Sequence, residues 1–287
     1  MKIQPECRPC LIKRSEYEAN LINPELAERA MAISKEVMER RGIDVSAIIA
    51  SEIHSKVYEL LGTNDPYFSI KLRSTETALS LLPQAQDLVE GAEDRLRAAV
   101  QCAIAGNVLD FGIRTGIGSD PEGLKGKFKE LATEGLGVDD LERARVLIGP
   151  GSKLLYFTDN VGEIVFDTLL VKELKAMGAH VTLVVKGGPI LTDATEKEVE
   201  ELDMPVDRVL TTNSNAVGVD FNRITDELRE LMDSCDLIVA KGMANFESFT
   251  ETEYGPILYL LRAKCAPIAR HIGADVDMNV ARLCNDE

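Results

Sequence analysis

Residues 154–186 read LLYFTDNVGEIVFDTLLVKELKAMGAHVTLVVK. An apolar run ending in Thr158-Asp159 gives way to an amphipathic segment that starts near Gly162 and stops at Gly178, and a second apolar run, VTLVVK, follows at 181–186. Strand, helix and strand in that order make a βαβ unit, because parallel neighbours need a long crossover and a helix supplies it. Three more runs follow: DRVLTT at 207–212, DLIVAK at 236–241 and ILYLLRAK at 257–264. Strands that are apolar throughout, most of them one helix's worth of chain apart, predict a mostly parallel sheet with helices on both faces. The second half of the chain reads as a Rossmann-like α/β fold.

Upstream the apolar residues recur with a period of about 3.6. In NPELAERAMAISKEVMERRG (23–42), Asn23 stands at a cap, Pro24 at the first helical position, Leu26, Ala30, Ile33 and Val37 on one face, and Gly42 at the stop. Segments 44–61, 65–82 and 83–105 repeat the pattern, with Pro83 read as a new beginning. A polar, Gly-rich stretch at 116–130 and one more helical segment precede Val146. A mainly helical domain is therefore expected over 1–145 and the α/β domain over 146–287.

Composition narrows the function classes. Of 287 residues, 45% are hydrophobic and 28% charged, the proportions of a folded globular chain. Lys and Arg total 32 against 48 Asp and Glu, a net charge of −16, which repels nucleic acid and anionic membrane surfaces. No apolar run of about 18 residues and no signal-like amino terminus are seen, so a cytoplasmic location is expected. The six cysteines do not form a secreted disulfide framework; only Cys7 and Cys10 are close in sequence, as CxxC.

In open α/β sheets ligands bind beyond the carboxyl ends of the strands. The first strand ends in Thr158-Asp159-Asn160 and the second in Lys186-Gly-Gly-Pro, with Asp193 shortly after. Carboxylate and amide oxygens from Asp159, Asn160 and Asp193 suit a hard divalent cation, and the helix start near Gly162 offers free N–H groups to an anion. The same residues can also serve as ordinary helix caps. The fourth strand ends in Lys241-Gly242, echoing Lys186-Gly187, and continues through Asn245 to Glu247; a lysine followed by glycine at a strand end can reach phosphate oxygens. Asn107 and Asp110 follow the end of an apolar helix at Gly106 and are either turn residues or neighbours of the site.

These motifs, FTDNVGEIVFD, KGGPILTDAT and KGMANFE, preceded by GNVLDFG and the amino-terminal CxxC, resemble the DUF89 or ARMT1-like family of metal-dependent damage-control phosphatases, in particular its stand-alone archaeal branch. The resemblance covers nearly the whole chain. It implies a helical amino-terminal part on a three-layer α/β/α sandwich, and a phosphatase that uses Mn²⁺, Ni²⁺, Co²⁺ or Mg²⁺ on small, damaged phosphorylated metabolites such as sugar phosphates or nucleotide-related compounds. The family's metal ligands fall on Asp159, Asn160 and Asp193. Its phosphate-side and substrate-side residues fall on Lys241, Asn107 and Asp110, with Lys186 and Glu247 as further candidates, and the CxxC of this branch on Cys7 and Cys10.

Two versions of the chemistry differ in the nucleophile. Attack by a metal-activated water is preferred to attack by Asp159, because phosphatases that use such an aspartate place a second one two residues on, where this chain has Val161. Two other classes stay open at this level: a non-catalytic protein that binds metal and phosphometabolite, and a redox or metal protein built on the CxxC. Dinucleotide and methyl-donor binding are disfavoured, since the first turn, DNVGE, has one glycine.

Overall fold

The structure is a computed structural model that describes residues 1–107 and 121–285, without the side chains of 121–126. Five helices come first: α1 (Cys7–Ile22), α2 (Ala27–Arg41), α3 (Ser46–Leu61), α4 (Phe68–Glu90) and α5 (Arg95–Gly106). The Asn23 side chain accepts from the Glu25 N–H as expected, but it opens a short 3-10 turn over Pro24–Leu26 before α2 begins. Gly42 ends α2 at φ 63°, where a side chain would be strained.

Pro83 departs from its expected role. It lies inside α4, which runs on to Glu90. The buried stripe Ala78, Leu81, Ala85 and Val89 keeps helical spacing straight across it, and the carbonyl left without its partner belongs to Leu79, on the solvent side. The real break is at Gly91, and the Asp94 side chain, accepting from Arg97 N–H at 3.1 Å, starts α5.

The rest of the chain alternates. It runs α6 (Pro121–Thr133), β1 (Val138–Asp139), α7 (Leu141–Arg145), β2 (Lys153–Phe157), α8 (Ile164–Ala176), β3 (His180–Val185), α9 (Glu196–Leu202) and β4 (Arg208–Thr211). It continues through α10 (Asp226–Ser234), β5 (Leu237–Lys241), α11 (Gly242–Phe249), β6 (Ile257–Arg262), α12 (Ala266–Ile272) and β7 (Asn279–Cys284). Among the described residues the strands form one seven-stranded sheet of order β1-β7-β6-β5-β2-β3-β4, parallel except for the β6–β7 pair. The five expected runs are all strands; β1 and β7 join them at one edge.

Alternation along each strand divides the core. Leu154, Tyr156, Leu183, Val185, Leu237 and Val239 pack with α4, α5 and α8 on one face. Leu155, Phe157, Val184, Ile238, Ala240 and Tyr259 pack with α10, α11 and α12 on the other. Helices α1 to α3 enclose a smaller core of their own around Ala30, Val37, Ile49 and Ile53. The result is a sheet layered between helices, with β2 flanked by β3 and β5, so the carboxyl ends of these three strands lie side by side, where ligands bind in open α/β sheets.

Candidate active site

Between β2 and α8 the chain turns sharply, and this turn is zipped to the loop after β3. Asn160 and Asp193 form an isolated antiparallel bridge, the Val161 N–H donates to Thr192 O at 2.9 Å, and the Ala194 N–H donates to Asp159 O at 2.9 Å. Backbone pairing thus brings Asp159, Asn160 and Asp193 together from neighbouring strand ends. All three are buried.

Asp159 is the focus of a nest of polar side chains. Its Oδ2 accepts from Asn107 Nδ2 at 2.8 Å and from Asn160 Nδ2 at 2.9 Å. Both amides also donate to Glu163 Oε2, at 2.6 and 3.4 Å respectively. The Thr192 hydroxyl donates to Asn160 Oδ1 at 2.6 Å. Gly242, at φ +73°, has the Asp159 carboxylate where a Cβ would stand, its Oδ2 at 1.9 Å. Only glycine lets the chain pass this close to the carboxylate while in a left-handed conformation.

Beneath the nest Lys241 is fully buried, and its ammonium meets Glu163 Oε1 at 2.5 Å, Asp167 Oδ1 at 2.6 Å and Ala103 O at 3.3 Å. With these contacts its three protons are engaged, so Lys241 grips the acidic cluster from below. Burial by itself would lower this lysine; Asp167 and Glu163 outweigh it and hold the ammonium at about 12. Burial pushes the Asp167 carboxyl up to about 6, against the pull of Lys241. The Tyr156 hydroxyl donates to the same Asp167 oxygen at 2.7 Å.

Lys186 is buried beside Asp193, 3.3 Å from its Oδ2, and donates to the carbonyl of Gly218. Gly162 is buried against α4, where a Cβ would stand 3.2 Å from Ser74 O. Asn245 faces the strand end and donates to Thr158 O at 2.9 Å. Glu247 is not brought to this nest. It sits two residues on, on the other side of α11, where its neighbours are Ser46 and the amino terminus; its carbonyl accepts from the Met1 amine. Burial pushes the Glu247 carboxyl up to about 7. Cys7 opens α1, Cys10 is exposed one turn on, and Cys265 lies near both. Asp110 lies outside the described residues.

Glu163, Asp167 and Tyr156 are the members that motif reading missed. The signal for Asp167 was present: a carboxylate inside IVFDTLLV, a stretch buried throughout, where an acid persists only when paired. Glu163 stands four residues before it, on the same face.

The donor set suits a hard divalent cation. Asp159, Glu163, Asp167 and Asp193 bring four carboxylates to two ammoniums, those of Lys241 and Lys186, all at least nine-tenths buried, a surplus of negative charge that a cation offsets. Among the described residues, the buried Asn107 Oδ1 has no hydrogen-bond partner. Among the described residues no trio of His, Cys, Asp and Glu alone has metal-holding geometry; the trio at this site includes an amide.

Residues 3–280 match the damage-control phosphatase ARMT1-like domain. The chain belongs to the ARMT1-like family. A damage-control phosphatase of Archaeoglobus fulgidus is 40% identical over 99% of this chain and 99% of its own. One from Pyrococcus horikoshii is 31% identical over 95% and 94%. The crystal structure of a DUF89 family protein from Pyrococcus horikoshii superposes with a TM-score of 0.87 at 29% identity, covering 99% of both chains. The expected family and fold class both hold. The ARMT1-like chain has, among its described residues, no helix long and apolar enough to cross a membrane.

Proposed function

We propose that this ARMT1-like chain is a divalent-cation-dependent phosphatase that hydrolyses phosphomonoesters of small metabolites, damaged ones among them. The observation that carries this reading is the surplus of buried carboxylate at the shared end of β2, β3 and β5, in a member of a family whose relatives are named damage-control phosphatases. Asp159, Asn160 and Asp193 would hold the ion, which can be Mn²⁺, Ni²⁺, Co²⁺ or Mg²⁺. When bound it supplies Lewis-acid stabilisation of the phosphoryl oxygens and a more acidic water at neutral pH.

The chain's own residues prepare that chemistry. Glu163 fixes the amides of Asn107 and Asn160 by accepting from both. Lys241 pairs with Glu163 and Asp167 from beneath and holds both carboxylates in place. We assign phosphate contact to Lys186, because its ammonium gives one proton to Gly218 O, stands in an ion pair with Asp193 and still has a proton to spare. Water is the nucleophile we favour, since Val161 stands where an aspartate partner for a covalent mechanism would be. Rapid-quench recovery of a phosphoryl-aspartate would reverse that choice.

The test is phosphate release from p-nitrophenyl phosphate by chelator-treated protein with and without each divalent ion. Activation by at least one ion, abolished in Asp159→Ala, supports the reading; equal turnover with and without ions contradicts it. A screen of phosphorylated metabolites with the activating ion then identifies the substrate class.

A further inference from the structure

One face of α3 reaches both loops that shape the nest. Ser51 and Tyr58 are seven residues apart, about two turns of helix, and therefore point the same way. Tyr58, 5% exposed, accepts at its hydroxyl from the Leu191 N–H at 3.1 Å. The Ser51 hydroxyl donates to Ala47 O at 2.6 Å and accepts from the Val217 N–H at 2.9 Å. Ile190 and Val217 pack on Ala47, Ala50 and Tyr58 along the same face.

Each accepted N–H lies one step from the site. Leu191 precedes Thr192, which donates to Asn160, and Asp193. Val217 precedes Gly218, whose carbonyl takes Lys186, the partner of Asp193. Leu191 also has φ 46°, a left-handed conformation that a residue with a branched side chain keeps only when its surroundings impose it. A hydroxyl holding the N–H of that residue, on a rigid helix, is such an imposition.

We infer that Tyr58 and Ser51 are positioning residues: they clamp the Asp193 loop and the Lys186 acceptor against Asp159, so that the helical half of the chain sets the geometry of the cation site. This inference rests on the cation-dependent reading above. It is tested by amide hydrogen exchange on the protein without added ion, and by Mn²⁺ titration, for wild type, Tyr58→Phe, Ser51→Ala and the double variant.

Tyr58→Phe should speed exchange at Leu191 by about tenfold or more and leave Val217 unchanged, and Ser51→Ala should do the reverse. Each should weaken Mn²⁺ binding by about three- to tenfold, the double variant by more. Leu191→Gly in the Tyr58→Phe background should recover part of that loss, because glycine adopts positive φ unaided; a purely structural weakening would not be rescued by a more flexible residue. Unchanged exchange at both amides overturns the inference whatever the enzyme's activity. Faster exchange with unaltered Mn²⁺ affinity in every variant also overturns it. Absence of ion-dependent turnover in the wild type would instead overturn the phosphatase reading, and the exchange data distinguish the two failures.

Discussion

Lys-Gly closes two strands of one sheet, at Lys186-Gly187 after β3 and at Lys241-Gly242 on β5. At the β5 end the lysine is fully enclosed and meets two carboxylates and a carbonyl, and the space beside the glycine is filled by the Asp159 carboxylate. At the β3 end the lysine meets one carboxylate and one carbonyl, and the space beside the glycine is filled by backbone, with Ser214 N 2.6 Å from a built Cβ. The first end holds an acidic cluster together; the second fastens a loop and keeps a proton to spare. The same dipeptide takes its role from what the fold brings opposite it.

The sharpest way to break this contrast is to remove each ammonium. Lys241→Met strands two buried carboxylates and Lys186→Met strands one, so both are destabilising, and the Lys241 loss, about 3–5 kcal/mol, should exceed the Lys186 loss by at least about 1 kcal/mol, read from urea denaturation in the absence of metal. Equal losses would mean that the two ends do the same work. The glycines give the next largest difference. A methyl group at Gly242 must displace Asp159, so Gly242→Ala should lower ion-dependent phosphate release about 100-fold, while Gly187→Ala, whose methyl presses on the main chain at Asn213 and Ser214 and not on Asp159, should cost about 1–3 kcal/mol of stability and lower turnover by no more than about tenfold.

Glu247 sharpens the contrast from outside, as a carboxyl with no lysine at all. Its folded value of about 7 lies above the ordinary 4.5, so the folded state holds the proton more tightly than the unfolded one. This group therefore costs nothing below pH ~4.5, its penalty grows as pH rises to about 7, and it is constant above that. Glu247→Gln should match wild type at pH 4 and exceed it by about 1–2 kcal/mol at pH 8, seen in parallel denaturation curves. The smallest effect is expected for Tyr156→Phe, which deletes one donor to Asp167 and should lower stability by about 1 kcal/mol.

Five of the strands were legible because each is a short run rich in Val, Ile or Leu, four of them mostly buried and β4 half-buried at the sheet edge, and the Asp159, Asn160 and Asp193 grouping was legible because ligands gather at strand ends. β7 was not, since NVARLC, which pairs antiparallel with β6 next to the short edge strand β1, carries Arg282 and lacks the continuous apolar character of the central strands. Pro83 misled because the packing of Ala78, Leu81, Ala85 and Val89 carries α4 across a proline whose freed carbonyl, that of Leu79, is on the solvent side, and position along a chain does not show that. The role of Lys241 was hidden for a related reason. A strand-end lysine looks solvent-facing until α8 and its N-cap supply Asp167 and Glu163 above it. Glu247 looked close to the site from the spacing KGMANFE, but in α11 it lies on the far side from Asn245, which faces Thr158.

The central claim is that oxygen donors from the ends of β2 and β3 make one cation site. Calorimetric titration of Mn²⁺ into the chelator-treated protein, with Asp159→Ala and Asp193→Ala in parallel, tests it most directly. The account predicts one saturable site in the wild type that either substitution weakens at least about 100-fold. Mn²⁺ binding of undiminished affinity in both variants would contradict it.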